Sequence, residues 1–194
     1  MIVGITGGIA TGKSLVTEYI KNKGYFVIDS DSLAHEALTK GKDTYKQIVS
    51  IFDCLDENKE IDRKKLGKIV FNDHKAKKIL EDIIHPYVFS RIEEEKQKNS
   101  SNLTFIDMPL LFEVGYENRV DLVISVVTNE VTQALRLSKR DNISLEYAKV
   151  KISNQMSLKE KIEKSDYVID NSNSINETYK AIDNVLENIK KMVK

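Results

Sequence analysis

The sequence predicts a three-layer α/β/α protein, in which a five-stranded parallel sheet lies between helices. Short apolar runs alternate with stretches of helical periodicity along most of the 194 residues, and this alternation is typical of βαβ units. One much longer helical stretch follows the second apolar run. The pattern therefore predicts an all-helical insertion within an otherwise doubly wound domain.

The amino-terminal segment predicts one strand–helix–strand unit. Residues 2–5 and 25–28 are short apolar runs typical of buried strands. A helical pattern runs between them from about Lys13 to Lys23, and Gly24 is a residue type that commonly follows a helix end. Such a unit predicts parallel pairing of its two strands through a right-handed crossover.

Residues 32–102 form the predicted insertion, with helix signals almost throughout. Ser32 is the expected N-cap of its first helix, and Gly41 is the expected end of that helix. Residues 44–47 have the form of a capping box ahead of a second helix. Asp62 has the form of an N-cap for a third.

Pro86 interrupts an apolar stripe in the longest helical part of the insertion. Because proline lacks the backbone N–H that a helix interior uses, we expect Pro86 either to end one helix or to open the next. The preceding His85 would then terminate a helix and bond to backbone groups, or it has a role in a site.

The sheet pattern resumes after the insertion. Apolar runs at residues 103–106, 122–127 and 167–169 predict the third, fourth and fifth strands. Helical patterns follow the fourth and fifth strands, and each begins at a residue type that is favoured at helix N-caps. These predicted caps are Asn129, Ser144, Ser157 and Ser174.

Charge and cysteine content restrict the class of protein. Lys and Arg number 30, as do Asp and Glu, so the net charge is zero, which argues against a partner such as nucleic acid. Cys54 is the only cysteine, so no internal disulfide can form and a cytoplasmic location is expected. The longest apolar runs are far shorter than the ~20 residues of a membrane span, so no membrane partner is expected.

The segment between the first strand and the first helix has a specific phosphate-binding pattern. Gly7, Gly12, Lys13 and Ser14 satisfy G-x-x-x-x-G-K-[ST] in the strand–loop–helix context that this motif requires. Glycines allow the backbone to fold around an anion with its N–H groups inward, and the helix start adds the positive end of its dipole. Lysine reaches the β- and γ-phosphates, and the serine hydroxyl binds Mg²⁺.

Acidic residues follow several predicted strands. In an open parallel sheet, ligands bind beyond the carboxyl ends of the strands, and there the chain carries Asp29, Asp31, Asp107 and Asp170. An isolated Asp at such a position more often caps a helix or forms a turn. Beside a phosphate loop, however, one such carboxylate could hold Mg²⁺ through water and another could accept a proton from a hydroxyl group.

Basic residues follow the fourth predicted strand. Arg136 and Arg140 are four residues apart, so on a helix they lie on one face. Either alone is typical of ordinary surface charge. Together they predict a lid that binds a transferring phosphoryl group, since catalysis of that transfer depends on positioning and positive charge.

Six segments carry a family resemblance, and their order and spacing are more specific than any one of them. The chain resembles the dephospho-CoA kinase family over essentially its whole length. The resemblance implies a P-loop kinase-type fold with a nucleotide-binding core (1–31 and 103–194), a helical insertion for the acceptor, CoA (32–102), and a lid (136–160). The segments are "GITGGIATGKS", "VIDSDSLAHEAL", "IIHPYV", "FIDMPLLFE", "QALRLSKRD" and "DYVIDNS".

The resemblance also implies a reaction, in which ATP phosphorylates the ribose 3′-hydroxyl of dephospho-CoA in the last step of coenzyme A synthesis. Asp31 matches the family's proposed general base, Lys13 a phosphate contact, and Arg140 a lid arginine near the transferring group. Mg²⁺ accompanies ATP as the cofactor, with Ser14, Asp29 and Asp107 as candidate ligands and no ranking between the two carboxylates.

Two sets of binding residues follow from the same resemblance. ATP is expected to contact the phosphate loop, a supporting lid arginine and the residue after the fifth strand. The acceptor is expected to contact the general base, the histidine of the insertion and the segment after the third strand. The first set is Gly8, Ile9, Ala10, Thr11, Gly12, Lys13, Ser14, Leu15, Arg136 and Asn171; the second is Asp31, His85, Pro109, Leu110, Leu111 and Glu113.

Two other functions compete with this one. Another P-loop kinase, acting on a nucleoside, a nucleoside monophosphate or a small alcohol, shares the fold, which alone cannot separate them. A nucleotide-dependent switch is the second, but the N-K-x-D and D-x-x-G signatures typical of GTP switches are missing: Asn22-Lys23 precedes Gly24-Tyr25, and Asp107 precedes Met108-Pro109-Leu110. We expect a monomer whose partners are ATP and dephospho-CoA, and the sequence leaves an oligomer open.

Overall fold

The sheet has the five strands that the sequence predicts. The computed structural model describes residues 1–193, Asn72 by its backbone only. The strand order is β2-β3-β1-β4-β5, and β1 pairs in parallel with β3 and β4, as β4 does with β5. The strands are β1 (Ile2–Gly7), β2 (Phe26–Asp29), β3 (Thr104–Asp107), β4 (Leu122–Val127) and β5 (Tyr167–Asp170).

α-Helices lie between most of these strands and after the last one, and the segment between β3 and β4 contains the short 3-10 helix Tyr116–Arg119. This arrangement confirms the predicted α/β class. None of the helices, within residues 1–193, has the combination of length and apolar character needed to cross a bilayer. The α-helices are α1 (Lys13–Asn22), α2 (Ser30–Ala37), α3 (Asp43–Ile51), α4 (Arg63–Asn72), α5 (His74–Lys98), α6 (Glu130–Asp141), α7 (Leu145–Ser153), α8 (Leu158–Glu163) and α9 (Ile175–Met192).

The chain divides into two compact units. The first, called the sheet unit, comprises Met1–Ile28 and the chain from Ser100 onward. The second, called the helical unit, is Asp29–Asn99, whereas the predicted insertion is residues 32–102. The helical unit therefore begins at the last residue of β2, where the backbone passes directly into α2.

The sheet unit has one apolar core on the central strands. The side chains of Val3, Ile5, Ile124 and Val126 are buried there together with residues of α1 and α9. Strands that are covered on both faces are apolar almost continuously, which explains why short unbroken apolar runs predicted them.

The order of the strands differs from the simplest prediction. β3 lies between β1 and β2, so the expected direct pairing of the first two strands is wrong. The local sequence predicts each strand but not its neighbour, and β1 has β3 on one side and β4 on the other. This central position of β1 places the phosphate loop at the middle of the sheet edge.

The helical unit corrects two predicted caps. Asp29, not Ser32, is the N-cap of α2, and its carboxylate accepts a hydrogen bond from the Ser32 backbone N–H at 3.0 Å. α3 follows Lys42 without a side-chain cap. The expected capping box is absent because α3 begins at Asp43, which places Thr44 inside the helix and not at its N-cap. The Thr44 hydroxyl instead donates to the Ala37 carbonyl oxygen.

The helical unit also corrects two predicted helix ends. Pro86 lies inside α5, so neither predicted alternative is right and His85 does not end a helix. Apolar side chains on both sides of Pro86 are packed, Ile84 against the helical core and Val88 buried, and this packing offsets the cost of an interior proline, about 3 kcal/mol. Gly41 lies beyond α2, which ends at Ala37.

Other predicted caps are confirmed. Asp62 accepts hydrogen bonds from the backbone N–H groups of the first turn of α4, and Ser157 and Ser174 each form a complete capping box with a glutamate three residues later. Asn129 and Ser144 cap α6 and α7. Caps depend on a few neighbouring residues, so sequence identifies them when no distant partner competes.

Candidate active site

The phosphate loop connects β1 to α1, and two of its positions, Gly7 and Gly12, require glycine. Gly12 has a φ of +91°, and a Cβ atom there would lie 2.0 Å from Nδ2 of Asn171. A Cβ atom on Gly7 would lie 2.6 Å from the backbone oxygen of Val126. Neighbouring backbone and side chains therefore approach the loop too closely for any larger residue, as a backbone anion site needs.

Side-chain donors bind the carbonyl oxygens of the loop from outside. Asn171 donates through Nδ2 to the Thr11 oxygen at 2.9 Å and accepts from the Thr178 hydroxyl at 3.0 Å. Arg136 donates to the Thr11 oxygen at 3.5 Å and to the Asn171 oxygen at 3.1 Å. Both predicted nucleotide contacts, Arg136 and Asn171, thus support the loop backbone and hold its shape.

Two glutamines hold the Ile9 residue of the loop from both sides. Gln133 on α6 donates through Nε2 to the Ile9 oxygen, and the Ile9 N–H donates to Oε1 of Gln155, both at 2.8 Å. Neither glutamine is among the predicted site residues. Their partners lie more than a hundred residues away in the chain, and no short motif includes them.

The loop lysine pairs with the acid at the end of β3. Lys13 and Asp107 form a salt bridge in which the two side chains are only 13% and 9% exposed. The strand register places Asp107 opposite Ile5 on β1, two residues before the loop. Ser14 follows Lys13 in α1 and is exposed, so its hydroxyl is accessible at the helix start.

The two arginines that were predicted to form a lid both lie on α6 and have different surroundings. Arg136 is turned to the loop, as described above, whereas Arg140 is exposed and donates to Asp141 at 2.9 Å. Lys151 of α7 donates to the other oxygen of Asp141 at 2.9 Å. The hydrogen bonds from Arg140 and then Lys151 lower the pKa of Asp141 to about 2. Arg136 and Arg140 therefore contact different groups, and their joint binding of a transferring phosphoryl group stays a prediction.

A buried lysine organises the segment after β3. The Lys161 side chain is 0% exposed and donates to the Pro109 oxygen at 3.2 Å and to Glu113 at 2.9 Å. Within this segment Leu111 is buried and Leu110 is exposed. Lys161 is one of 30 basic residues, and nothing in its local sequence distinguishes it.

Three candidate residues belong to the helical unit. Asp29 caps α2, as reported above, and Asp31 lies exposed in the first turn of the same helix. His85 is half-buried inside α5, with its ring stacked on Phe89 at 5.9 Å between centroids. Burial lowers the pKa of His85. The carboxylates of Glu81 and Asp82 oppose this lowering of the pKa, and Lys78 adds to it.

The oxygen atoms of the predicted magnesium ligands are suited to a magnesium ion that is bound together with a nucleotide. Within residues 1–193, no group of three or more His, Cys, Asp and Glu side chains could hold a metal ion. Mg²⁺ is usually bound by one or two protein oxygens together with substrate phosphates and waters. The exposed Ser14 hydroxyl and the Asp107 carboxylate offer that sparse set, while one oxygen of Asp29 already accepts the cap bond.

The fold and the loop together define the class of protein. A parallel sheet with β1 central, a glycine-dependent phosphate loop and its lysine, and cations on the helix after β4 are the parts of a P-loop kinase. The model of the family described as dephospho-CoA kinase matches residues 1–177. The chain belongs to this family, as the sequence resemblance predicted.

Individual relatives agree with the family match. The chain is 38% identical to a dephospho-CoA kinase of Fusobacterium nucleatum, over 97% of this chain and 98% of the relative. It is 41% identical to one of Staphylococcus aureus, over 96% and 92%. The solved structure of dephospho-CoA kinase from Campylobacter jejuni has a TM-score of 0.73 and 37% identity, covering 98% of this chain and 97% of that one.

Proposed function

We propose that this chain transfers the γ-phosphoryl group of ATP to the ribose 3′-hydroxyl of dephospho-CoA, giving coenzyme A and ADP, the last step of coenzyme A synthesis. The observation that carries the proposal is the family match across residues 1–177, together with an intact phosphate loop. Both substrates are small molecules, and neither nucleic acid nor a membrane takes part.

The donor half of the reaction uses the phosphate loop. The backbone N–H groups of Gly12, Lys13 and Ser14 and the dipole of α1 bind the β- and γ-phosphates, while the Ile9 N–H keeps its bond to Gln155. The Lys13 side chain adds a cation at the γ-phosphate. Asp107, its present partner, orients that ammonium group. Asn171 and Arg136 hold the loop on the adenine side, which keeps the N–H groups arranged before ATP binds.

The acceptor half uses Asp31 as general base. Its carboxylate takes the proton of the 3′-hydroxyl as that oxygen attacks the γ-phosphorus. The bond from the γ-phosphorus to the β–γ bridging oxygen breaks, and ADP leaves. The exposed position of Asp31 in the first turn of α2 supports this role, because a base must be accessible to its substrate.

Cations complete the site. Arg140, exposed on α6, supplies charge to the transferring phosphoryl group when the lid of residues 136–160 closes. Ser14, Asp107 and Asp29 would hold Mg²⁺. When bound, that ion neutralises charge on the β- and γ-phosphate oxygens. Positioning and charge of this kind supply most of the catalysis of phosphoryl transfer.

The acceptor itself binds to residues from both parts of the sequence. Residues 32–102 supply Asp31 and His85, and the segment after β3 supplies Pro109, Leu110, Leu111 and Glu113. We place the reaction in the cytoplasm, where the unpaired thiol of Cys54 stays reduced, and expect a monomer.

The proposal is tested with a panel of acceptors. ADP release is measured with dephospho-CoA, adenosine, uridine and AMP, each with ATP and Mg²⁺, and Lys13→Met is the inactive control. We expect turnover with dephospho-CoA alone. If AMP or a nucleoside were phosphorylated and dephospho-CoA were not, the protein would be another P-loop kinase and the proposal would be overturned.

A further inference from the structure

Lys161 on α8 has an ammonium group with no access to solvent. Burial of a charge is costly unless the charge is paired and hydrogen-bonded. Three oxygen atoms surround this one, from Thr6 at 3.4 Å, Pro109 at 3.2 Å and Glu113 at 2.9 Å. The reaction as proposed above makes no use of this cation, so the reason for its burial must lie in the groups that it holds.

Two of those groups, Pro109 and Glu113, belong to the segment after β3. Pro109 and Glu113 bound this segment, and Asp107, the partner of Lys13, precedes it. The Thr6 hydroxyl, one residue before the phosphate loop, also donates to the Pro109 oxygen at 2.8 Å. Lys161 therefore fixes both ends of the segment and connects it to the last residues of β1.

The orientation of the Glu113 carboxylate is set by two donors. Lys161 binds Oε2, and the Met156 backbone N–H donates to Oε1 at 3.1 Å. A carboxylate offers about four lone-pair positions, so each oxygen can still accept a bond from a ligand. The side chain is 23% exposed, which leaves it accessible to a ligand while its direction is fixed.

We propose that Lys161 is a positioning residue for the phosphoryl transfer, because it holds Glu113 and the 109–113 segment in the arrangement that binds the acceptor. Lys161 does not touch substrate, since it is fully buried. The inference rests on the proposed function and on the acceptor role of this segment.

The first test is Lys161→Met, which removes the charge and keeps a long, flexible side chain. We expect the KM for dephospho-CoA to rise about 10- to 100-fold, as expected for a mispositioned binding group, while the KM for ATP changes by less than about twofold. The melting temperature is measured alongside. A lower melting temperature with an unchanged KM for dephospho-CoA would assign Lys161 a structural role alone and overturn the inference.

Three further variants complete the test. Lys164→Met changes an exposed lysine at the C-cap of the same helix, outside the proposed lid, and should leave both KM values as they are. The double variant Lys161→Met/Glu113→Leu removes the pair together, and such replacements are often neutral or stabilising. The double variant provides the test if Lys161→Met does not fold.

For the double variant, we expect a melting temperature near that of the wild type and a KM for dephospho-CoA equal to that of the single variant Glu113→Leu, because Lys161 acts through the group that this variant already lacks. A KM in the double variant well above that of Glu113→Leu would show that Lys161 acts on the acceptor by another route and would overturn the inference.

The wild-type assay separates the two proposals. An active wild type with unaltered kinetics in Lys161→Met overturns the positioning role alone. A folded wild type that does not phosphorylate dephospho-CoA overturns the proposed function and, with it, this inference.

Discussion

The sheet unit and the helical unit hold their polar groups in different ways. In the sheet unit, buried polar side chains such as Lys161 and Asn171 bond to residues that are distant in sequence. In the helical unit, the caps and most ion pairs join residues of one helix or one turn. Long-range bonds fix the phosphate loop rigidly, and short-range bonds fix only each helix.

The main exception in the helical unit lies at a carboxylate that solvent still reaches. Glu36 accepts hydrogen bonds from Lys42 and from the Tyr87 hydroxyl, both at 2.7 Å, and lies 3.5 Å from Arg91. Its side chain is 31% exposed. Even this tertiary network is therefore partly hydrated, whereas the Lys161 and Asn171 side chains of the sheet unit are buried.

The difference indicates how the two halves of the reaction are supported. The proposed ATP-binding residues Lys13, Arg136 and Asn171 are held by bonds within the sheet unit, so we expect them to be arranged before ATP arrives. The candidate acceptor residues of the helical unit, Asp31 and His85, depend on α2 and α5 for their positions. Variants in the two units should therefore affect different measurements.

The largest expected effect comes from the helical unit. Asp31→Asn keeps the size of the side chain and removes its capacity to take a proton. We expect turnover to fall about 10²- to 10⁴-fold, or roughly 2.7 to 5.4 kcal/mol of barrier, with little change in ATP affinity. Steady-state kinetics and equilibrium ATP binding are the measurements. Near-normal turnover would show that Asp31 is not the base.

A second prediction compares left-handed glycines of the two units. In Gly12→Ala the alanine must adopt a left-handed backbone conformation, which costs about 1–2 kcal/mol. Its Cβ atom also clashes with Asn171, and the loss of the buried hydrogen bonds of Asn171 costs about 1–3 kcal/mol. We expect the free energy of unfolding to fall by about 2–5 kcal/mol in total, and ATP binding to weaken.

Its matched control is Gly41→Ala. Gly41 has a similar φ of +95° but no atom within 4 Å of a Cβ, so only the strain of about 1–2 kcal/mol remains. Denaturant unfolding measures both variants. Equal losses in the two would contradict the idea that crowding around the phosphate loop requires Gly12.

The smallest effect concerns pH. Hydrogen bonds from Lys42 and then Tyr87 lower the pKa of Glu36 to about 2 from an ordinary 4.5. A lowered carboxyl pKa stabilises the folded state above pH 4.5, and this contribution is lost as the pH falls towards 2. The difference in unfolding free energy between wild type and Glu36→Gln should therefore shrink over that interval.

The control for this prediction is Asp43→Asn. Asp43 pairs with Lys46 on an exposed face of α3, where the side chains are 87% and 69% exposed. Water and salt screen such a pair strongly, so its pH dependence should be the weaker of the two. A larger effect at Asp43 than at Glu36 would contradict the tertiary role of the Glu36 network.

The sequence by itself determined the strands, the phosphate loop, most helix caps and the family. These features depend on residues close together in the chain, such as Gly12 beside Lys13 or Ser157 three residues before Glu160. Local periodicity and turn chemistry are sufficient to specify them.

Tertiary structure alone decided the strand order, the passage of α5 through Pro86, and the groups that hold the loop. Gln155 contacts Ile9 across 146 residues of sequence, and Lys161 contacts Glu113 across 48. Such pairs form because folding brings separate elements to one sheet edge, where a buried polar group must find a partner. No sequence pattern within either segment predicts which residue of the other segment will be the partner.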